Sequence, residues 1–206
     1  GIMGNQIYIP AVDPVKAFNN DNFLPLLKLG EVTDGRIVLT PSVSELTAEI
    51  GQRFVAVSSG STGSALLLAP RAPRGSGTVI NGDFYGATSV GWPQAVSDEV
   101  LRRFGPQPKK GGAKDNFNAA VDWSTTVLRD YVLPELKPSV AYVWITEPDH
   151  IQHALGAGAP DEARLAQPPD PGPIFASLGM RYDKHGFSYD VWNVVAAGAG
   201  NPSVPV

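Results

Sequence analysis

Val140-Ala141-Tyr142-Val143-Trp144-Ile145-Thr146-Glu147-Pro148-Asp149-His150-Ile151-Gln152-His153 is the stretch on which the reading of this chain turns. Residues 140–146 are apolar almost throughout, the pattern of a central strand covered on both faces. Just before them lies the strongest helical periodicity in the chain, over 116–136. There Ala120, Val121, Val127, Leu128, Tyr131 and Val132 form one stripe, and Pro138 ends it. A second buried-type strand, 53–58, runs into Ser58-Ser59-Gly60-Ser61-Thr62-Gly63-Ser64 and a helix over 65–68. Strands and helices alternate, which predicts a layered α/β domain.

Working outward, 6–9 reads as a short strand ended by Pro10 and the turn-forming Asp13-Pro14. Asn19-Asn20-Asp21-Asn22 offers N-caps for a helix over 23–29 that accepts Pro25 in its first turn and stops at Gly30. Residues 36–40 and 77–81 read as strands. Residues 42–52 read as a helix with Ser44 as a cap and Leu46 and Ile50 on one face, and 97–104 as a capped helix. Residues 105–114 read as a basic surface loop. From 159 the texture changes: seven prolines follow and no helical pattern lasts three turns. The expected organisation is one domain over 1–158 and a divergent Pro/Gly-rich tail over 159–206.

Composition removes several classes of function. The 206 residues carry a formal charge of −4, which gives no electrostatic footprint for a nucleic-acid duplex or an anionic membrane. No apolar run approaches the roughly 20 residues that span a bilayer. The absence of cysteine excludes disulfides, thiolate nucleophiles and sulfur-ligated metal sites. The 22 glycines and 19 prolines imply many loops. Histidine is scarce, with only His150, His153 and His185, so a metal site would rest on one or two imidazoles plus carboxylates.

The chemistry-bearing residues follow the 140–146 strand, and ligand sites in open α/β sheets lie beyond the carboxyl ends of strands. Asp149 and His153 are four apart, so one helical turn aims both at a single cation, and their O and N donors suit zinc. Asp-x-x-x-His is also a common spacing; its place after a hydrophobic strand favours the metal reading. His150 points elsewhere and reads as solvated or supporting. The Gly60-Ser61-Thr62-Gly63 turn precedes a helix and admits an anion. It lacks the Walker ending and the Gly-x-Ser-x-Gly elbow, however, so a structural turn with capping hydroxyls is preferred and Ser61 is not read as a nucleophile. Arg71, Arg74, Lys109, Lys110 and Lys114 read as solvated charge, and His185 is isolated.

Taken together, Gly1-Ile2-Met3-Gly4-Asn5 and Glu147-Pro148-Asp149-x-x-x-His153 resemble the type I phosphodiesterase/nucleotide pyrophosphatase family of the alkaline phosphatase superfamily, over about 1–158. The resemblance implies an α/β three-layer sandwich around a mostly parallel sheet, incomplete in this chain. It also implies a two-zinc site and hydrolysis of phosphodiester or pyrophosphate bonds in a small-molecule or nucleotide substrate, through a covalent phospho-enzyme. Carried over by motif, Asp149 and His153 hold one Zn2+ and the Asn5 amide donates to a phosphate oxygen. The family's nucleophile and first metal-binding Asp are expected upstream of Gly1, which makes the chain a fragment expected to have little turnover. The later Ser-Asp-His-Gly-type motif is missing, and Asp183-Lys184-His185-Gly186 has one residue too many to match it. Frame shift, chimeric junction and divergence all account for the tail. Family members are often exported, which points to a periplasmic or extracellular site. The alternatives are a non-catalytic binding module on the same fold, or another superfamily hydrolase such as a phosphonate hydrolase or sulfatase.

Overall fold

Phe54-Val55-Ala56-Val57-Ser58 forms a strand with every residue buried, and the rest of the fold is arranged around it. The structure, a computed structural model, describes residues 5–85, 88–108 and 118–146. Elements along the chain are β1 (Gln6–Ile7), β2 (Phe18–Asn19), α1 (Phe23–Val32), α2 (Val43–Glu49), β3 (Phe54–Ser58) and α3 (Thr62–Leu68). They are followed by β4 (Thr78–Tyr85), β5 (Thr88–Trp92), α4 (Gln94–Phe104), α5 (Asn118–Val127), a π-helical segment (Leu128–Leu136) and β6 (Val140–Trp144). The main sheet has the order β5-β4-β3-β6. β3 runs parallel to both β4 and β6, and β5 is antiparallel to β4. The chain is thus mixed α/β with a mixed sheet.

Strand alternation divides the core between the two sheet faces. Val55 and Val57 pack with Ile80, Val100 of α4, Trp123 and Val127 of α5, and Leu128, Tyr131 and Val132 of the π-helical segment. Phe54 and Ala56 pack on the other face with Ala65 of α3, Ala69, Ala72 and Val79. Beyond α3, Leu66 joins Val12, Phe18, Leu26 and Leu29, so α1 and the β1–β2 ribbon cover the outer side of that helix. β3, α3 and β4 form a parallel crossover unit, the commonest way to join parallel neighbours.

Several expectations change. The 140–146 segment forms β6, but among the described residues β6 is an edge strand, not a central one: Tyr142 and Trp144 are 38% and 40% exposed. Residues 36–40 form no strand, and Leu39 is 91% exposed; an apolar run needs a partner ladder, and none is formed there. Gly30 does not stop α1, which continues to Val32; Gly30 is buried inside the helix and packs near Ile37. The cap of α2 is Ser42, in a reciprocal box with Glu45, while Ser44 is fully buried. The buried face of α2 is Ser44 and Thr47; Leu46 and Ile50 face solvent.

α4 starts three residues earlier than the 97–104 pattern suggested, with Ser97 buried and its Oγ 2.7 Å from that of Ser89. β5 was not legible as a strand. The 116–136 periodicity is borne out from Asn118 onward, but its second half is π-helical. Pro134 lies inside it, and a proline ring clashes with the carbonyl four residues back in a tight α-turn. The Lys137 N–H closes the segment on the Val132 carbonyl, five residues back, at 3.0 Å.

Candidate functional site

The carboxyl ends of β3 and β6 meet Asn81, midway along β4, in a polar cluster. Ser58, Ser59 and Asn81 are fully buried there, and Gln107 nearly so. The β3–β6 ladder ends at the Ser58–Trp144 rung, and beyond it one more backbone bond and several side-chain bonds join the two segments. The Ser59 N–H donates to the Trp144 carbonyl at 2.9 Å, and the Thr146 N–H donates to Ser59 Oγ at 3.1 Å. Ser59 Oγ also lies 3.3 Å from both the Trp144 carbonyl and Thr146 Oγ1. The end of β6 is therefore stitched to the turn that leaves β3.

The same turn is clamped from behind. The Asn81 amide donates to the Gly60 carbonyl at 3.0 Å and to the Ser58 carbonyl at 3.4 Å. The Gln107 amide donates to the Ser58 and Asn81 carbonyls at 2.7 and 2.8 Å. Gly60 lets β6 come this close: a Cβ there would meet Thr146 Cγ2 at 3.0 Å and Trp144 Cδ1 at 3.1 Å. Among the described residues no buried side-chain nitrogen or oxygen lacks a partner. A fully satisfied buried network of this kind is rigid.

On the other side of the turn sits the ribbon that begins with Asn5. Asn5 is exposed, and its carbonyl accepts from the Asn20 N–H at 2.9 Å. The Asn20 carbonyl lies against Gly63, where any Cβ would overlap it. The Gly63 N–H donates to the Asp21 carbonyl at 2.8 Å, and Thr62 Oγ1 donates to the same oxygen at 3.3 Å. Ser61 Oγ accepts from the Ser64 N–H, capping α3. The Gly60–Gly63 turn is thus a structural turn with capping hydroxyls, as the sequence suggested, and its Gly63 and Ser64 N–H groups are used internally.

The structure brings the Asn5 ribbon and the exit of β6 to the same end of the sheet. Asp149 and His153 lie outside the described residues, as do His150, His185, Lys109, Lys110 and Lys114. Among the described residues no three His, Cys, Asp or Glu side chains form a group able to hold a metal. Arg71 and Arg74 are not simply solvated: Arg71 pairs with Glu45 at 3.0 Å and Arg74 with Asp34 at 2.7 Å. Burial raises the Glu45 carboxyl, but the hydrogen bonds from Ser42, helped by Arg71, outweigh it and leave the pKa below the ordinary value.

Sequence reasoning missed Asn81 and Gln107. The available signal for Gln107 was Pro106-Gln107-Pro108, a stiff frame presenting one amide inside a loop read as surface. Comparison with known proteins finds no matching family model, no matching curated protein and no matching solved structure.

Proposed function

We propose that the chain is part of a zinc-dependent phosphodiesterase or nucleotide pyrophosphatase, built on an alkaline-phosphatase-like three-layer sandwich. The observation that supports this reading is the meeting at the β3–α3 turn. The ribbon carrying Asn5 and the end of β6, which leads into Glu147-Pro148-Asp149, are fastened to the two ends of one turn, the ribbon at Thr62 and Gly63 and β6 at Ser59 and Gly60. That is the carboxyl end of a largely parallel sheet, where ligand sites in such folds gather. Helices on both faces and a βαβ unit at the centre agree with the coarse architecture.

The donor chemistry fits the proposed metal. Asp149 supplies a carboxylate oxygen and His153 an imidazole nitrogen, both ordinary zinc ligands. Zinc at such a site supplies positive charge for the attacking and leaving oxygens of a phosphoryl centre. The chain's own contribution is positional. The exposed Asn5 amide offers N–H donors to a phosphate oxygen, and the buried Asn81–Gln107 clamp keeps the underlying turn from relaxing. The nucleophile is not assigned to any residue of 1–206.

The reading is tested with zinc and an aryl phosphodiester. We expect a version extended upstream to hydrolyse it and the 206-residue chain to do so far more slowly. In the extended version, Asp149→Asn and His153→Ala should lower zinc content and rate together. Unchanged zinc stoichiometry in both variants would show that this pair does not bind the metal.

A further inference from the structure

α2 is turned inside out. Its inward face carries the hydroxyls of Ser44 and Thr47, while Val43, Leu46 and Ile50 stand in water at 58%, 50% and 73% exposure. We propose that this outer face is a self-association surface, on which a second copy of the chain packs its own α2 antiparallel across a two-fold axis. Nothing in this surface depends on the zinc site proposed above.

The inner face has a local reason. A Cβ on Gly77 would meet that of Ser44 at 2.9 Å, so α2 lies too close to the start of β4 for a larger side chain at that position. Both hydroxyls are satisfied on the spot: Thr47 Oγ1 donates to the Val43 carbonyl at 2.6 Å, and Ser44 Oγ lies 2.9 Å from Ser42 Oγ. None of this requires aliphatic residues on the outside, where a surface helix normally carries polar ones. Val43, Leu46 and Ile50 nevertheless follow the i, i+3, i+7 spacing of a single stripe. The neighbouring Glu45 carboxylate is turned away from it, accepting from Ser42 and pairing with Arg71 at 3.0 Å.

A second copy fits this face in area, shape and charge. Leu39 and Val38, both exposed, lie in the segment that leads through Pro41 and Ser42 into the stripe. The five side chains expose about 500 Å² of aliphatic surface, the level at which an exposed patch marks an interaction site. Two such faces bury roughly 1,000 Å², where specific interfaces begin. A two-fold axis at Leu46 sets Val43 against the partner's Ile50 and Ile50 against the partner's Val43, so aliphatic groups meet throughout. Glu49 selects the antiparallel crossing, which keeps the two Glu49 carboxylates at opposite ends of the contact; a parallel one would set them side by side. A partner recognised by charge would find no ionised group within the stripe to pair with.

The experiment is sedimentation equilibrium of the 206-residue chain over about 1–500 µM, a range that brackets the affinity of small interfaces. Urea unfolding followed by circular dichroism is run at the lowest concentration. The chain should pass from monomer to dimer with a dissociation constant on the order of 10 µM. Leu46→Glu sets two carboxylates face to face at the axis and should weaken the dimer about 100-fold. Leu46→Ala, which removes the contact without adding charge, should weaken it about tenfold and carries the comparison if the glutamate variant does not fold. Val15→Glu, at an exposed valine outside α2, should dimerise within about twofold of the parent. A parent that stays monomeric at the highest concentration, or a dimer that the Leu46 variants leave intact, overturns the proposal. So does a Leu46→Glu variant whose urea midpoint falls well below the parent's where both are monomers, since the stripe would then be covered within its own chain.

Discussion

β3 and β6 are hydrogen-bonded neighbours with similar sequences, Phe-Val-Ala-Val-Ser and Val-Ala-Tyr-Val-Trp. Every residue of β3 is buried, whereas β6 has none that is fully buried and exposes its two aromatic rings. Val57 and Val143 occupy the same rung of the ladder and contribute to the same core cluster, yet Val57 is sealed and Val143 only half-buried. A strand's composition states what burial it tolerates; its neighbours decide what burial it receives. β3 is flanked by β4 and β6 and covered by helices on both faces. β6 has β3 on one side and, among the described residues, no strand on the other.

The largest effect should come from placing a charge on each strand. Val57→Asp buries a carboxylate with no cation beside it, a change that costs several kcal/mol, comparable with the whole stability of a domain. The variant should be largely unfolded at 25 °C by circular dichroism. Tyr142→Asp, on an exposed position of β6, should cost less than about 1 kcal/mol. Comparable unfolding in both variants would mean that β6 is covered like β3, and would break the contrast.

A milder substitution sharpens it. Val57→Ala removes two buried methyl groups and leaves a cavity that close-packed neighbours cannot fill, a loss of about 2–3 kcal/mol. Val143→Ala at the same rung should lose about 1 kcal/mol, since part of its side chain is already in water. Urea midpoints at unchanged m-value would measure both. Equal losses would place the two valines in equivalent surroundings.

The same contrast explains how far the sequence could be read. β3 was legible because its apolar run is bounded by Gln52-Arg53 before and Ser58-Ser59-Gly60 after, and because its neighbours match its demand. β6 was legible as a strand, but its position was not, since Tyr and Trp are as acceptable on a half-covered edge as in a core. The run Ile37-Val38-Leu39 has strand composition without a pairing partner, and pairing is a long-range property that no local pattern contains.

At the candidate site, the hydroxyls of Ser58, Ser59 and Ser61 stood out in the sequence as a turn, and Ser61 does cap α3. The clamp by Asn81 and Gln107 did not stand out, because it joins residues 21 to 49 positions away through side-chain amides. Asn5 was reachable only through the family resemblance; its ribbon reaches the turn by way of Asn20 and Gly63, a contact between segments over 40 residues apart. Local signals thus exposed the turn, and long-range packing supplied its partners.

The smallest expected effect tests whether the contrast between β3 and β6 is apolar in origin. Over the sheet face that holds Val57 and Val143, α4 and the π-helical segment are tied by Arg103, which pairs with both Glu99 and Glu135 and lies 4.9 Å from the centre of the Tyr131 ring. Hydrogen bonds from Arg102 and then Arg103 hold the Glu99 carboxyl down from 4.5 to about 2. A carboxyl depressed in the folded state contributes stability that is fully present above about 4.5 and is lost as pH falls toward 2.

These groups are on the surface, where ion pairs contribute little and salt screens them. The chain should therefore lose only modest stability over that acid range, and Glu99→Gln should flatten the loss. The decisive comparison is between the two alanine variants. If the β3–β6 difference comes from apolar burial alone, Val57→Ala and Val143→Ala should run parallel to the parent from pH 7 to pH 2 in urea midpoint, offset by constant amounts. A gap that narrows as Glu99 takes up its proton would mean that the α4 ion pairs help to seal Val57, so that the burial of β3 depends on charge as well as on its neighbours.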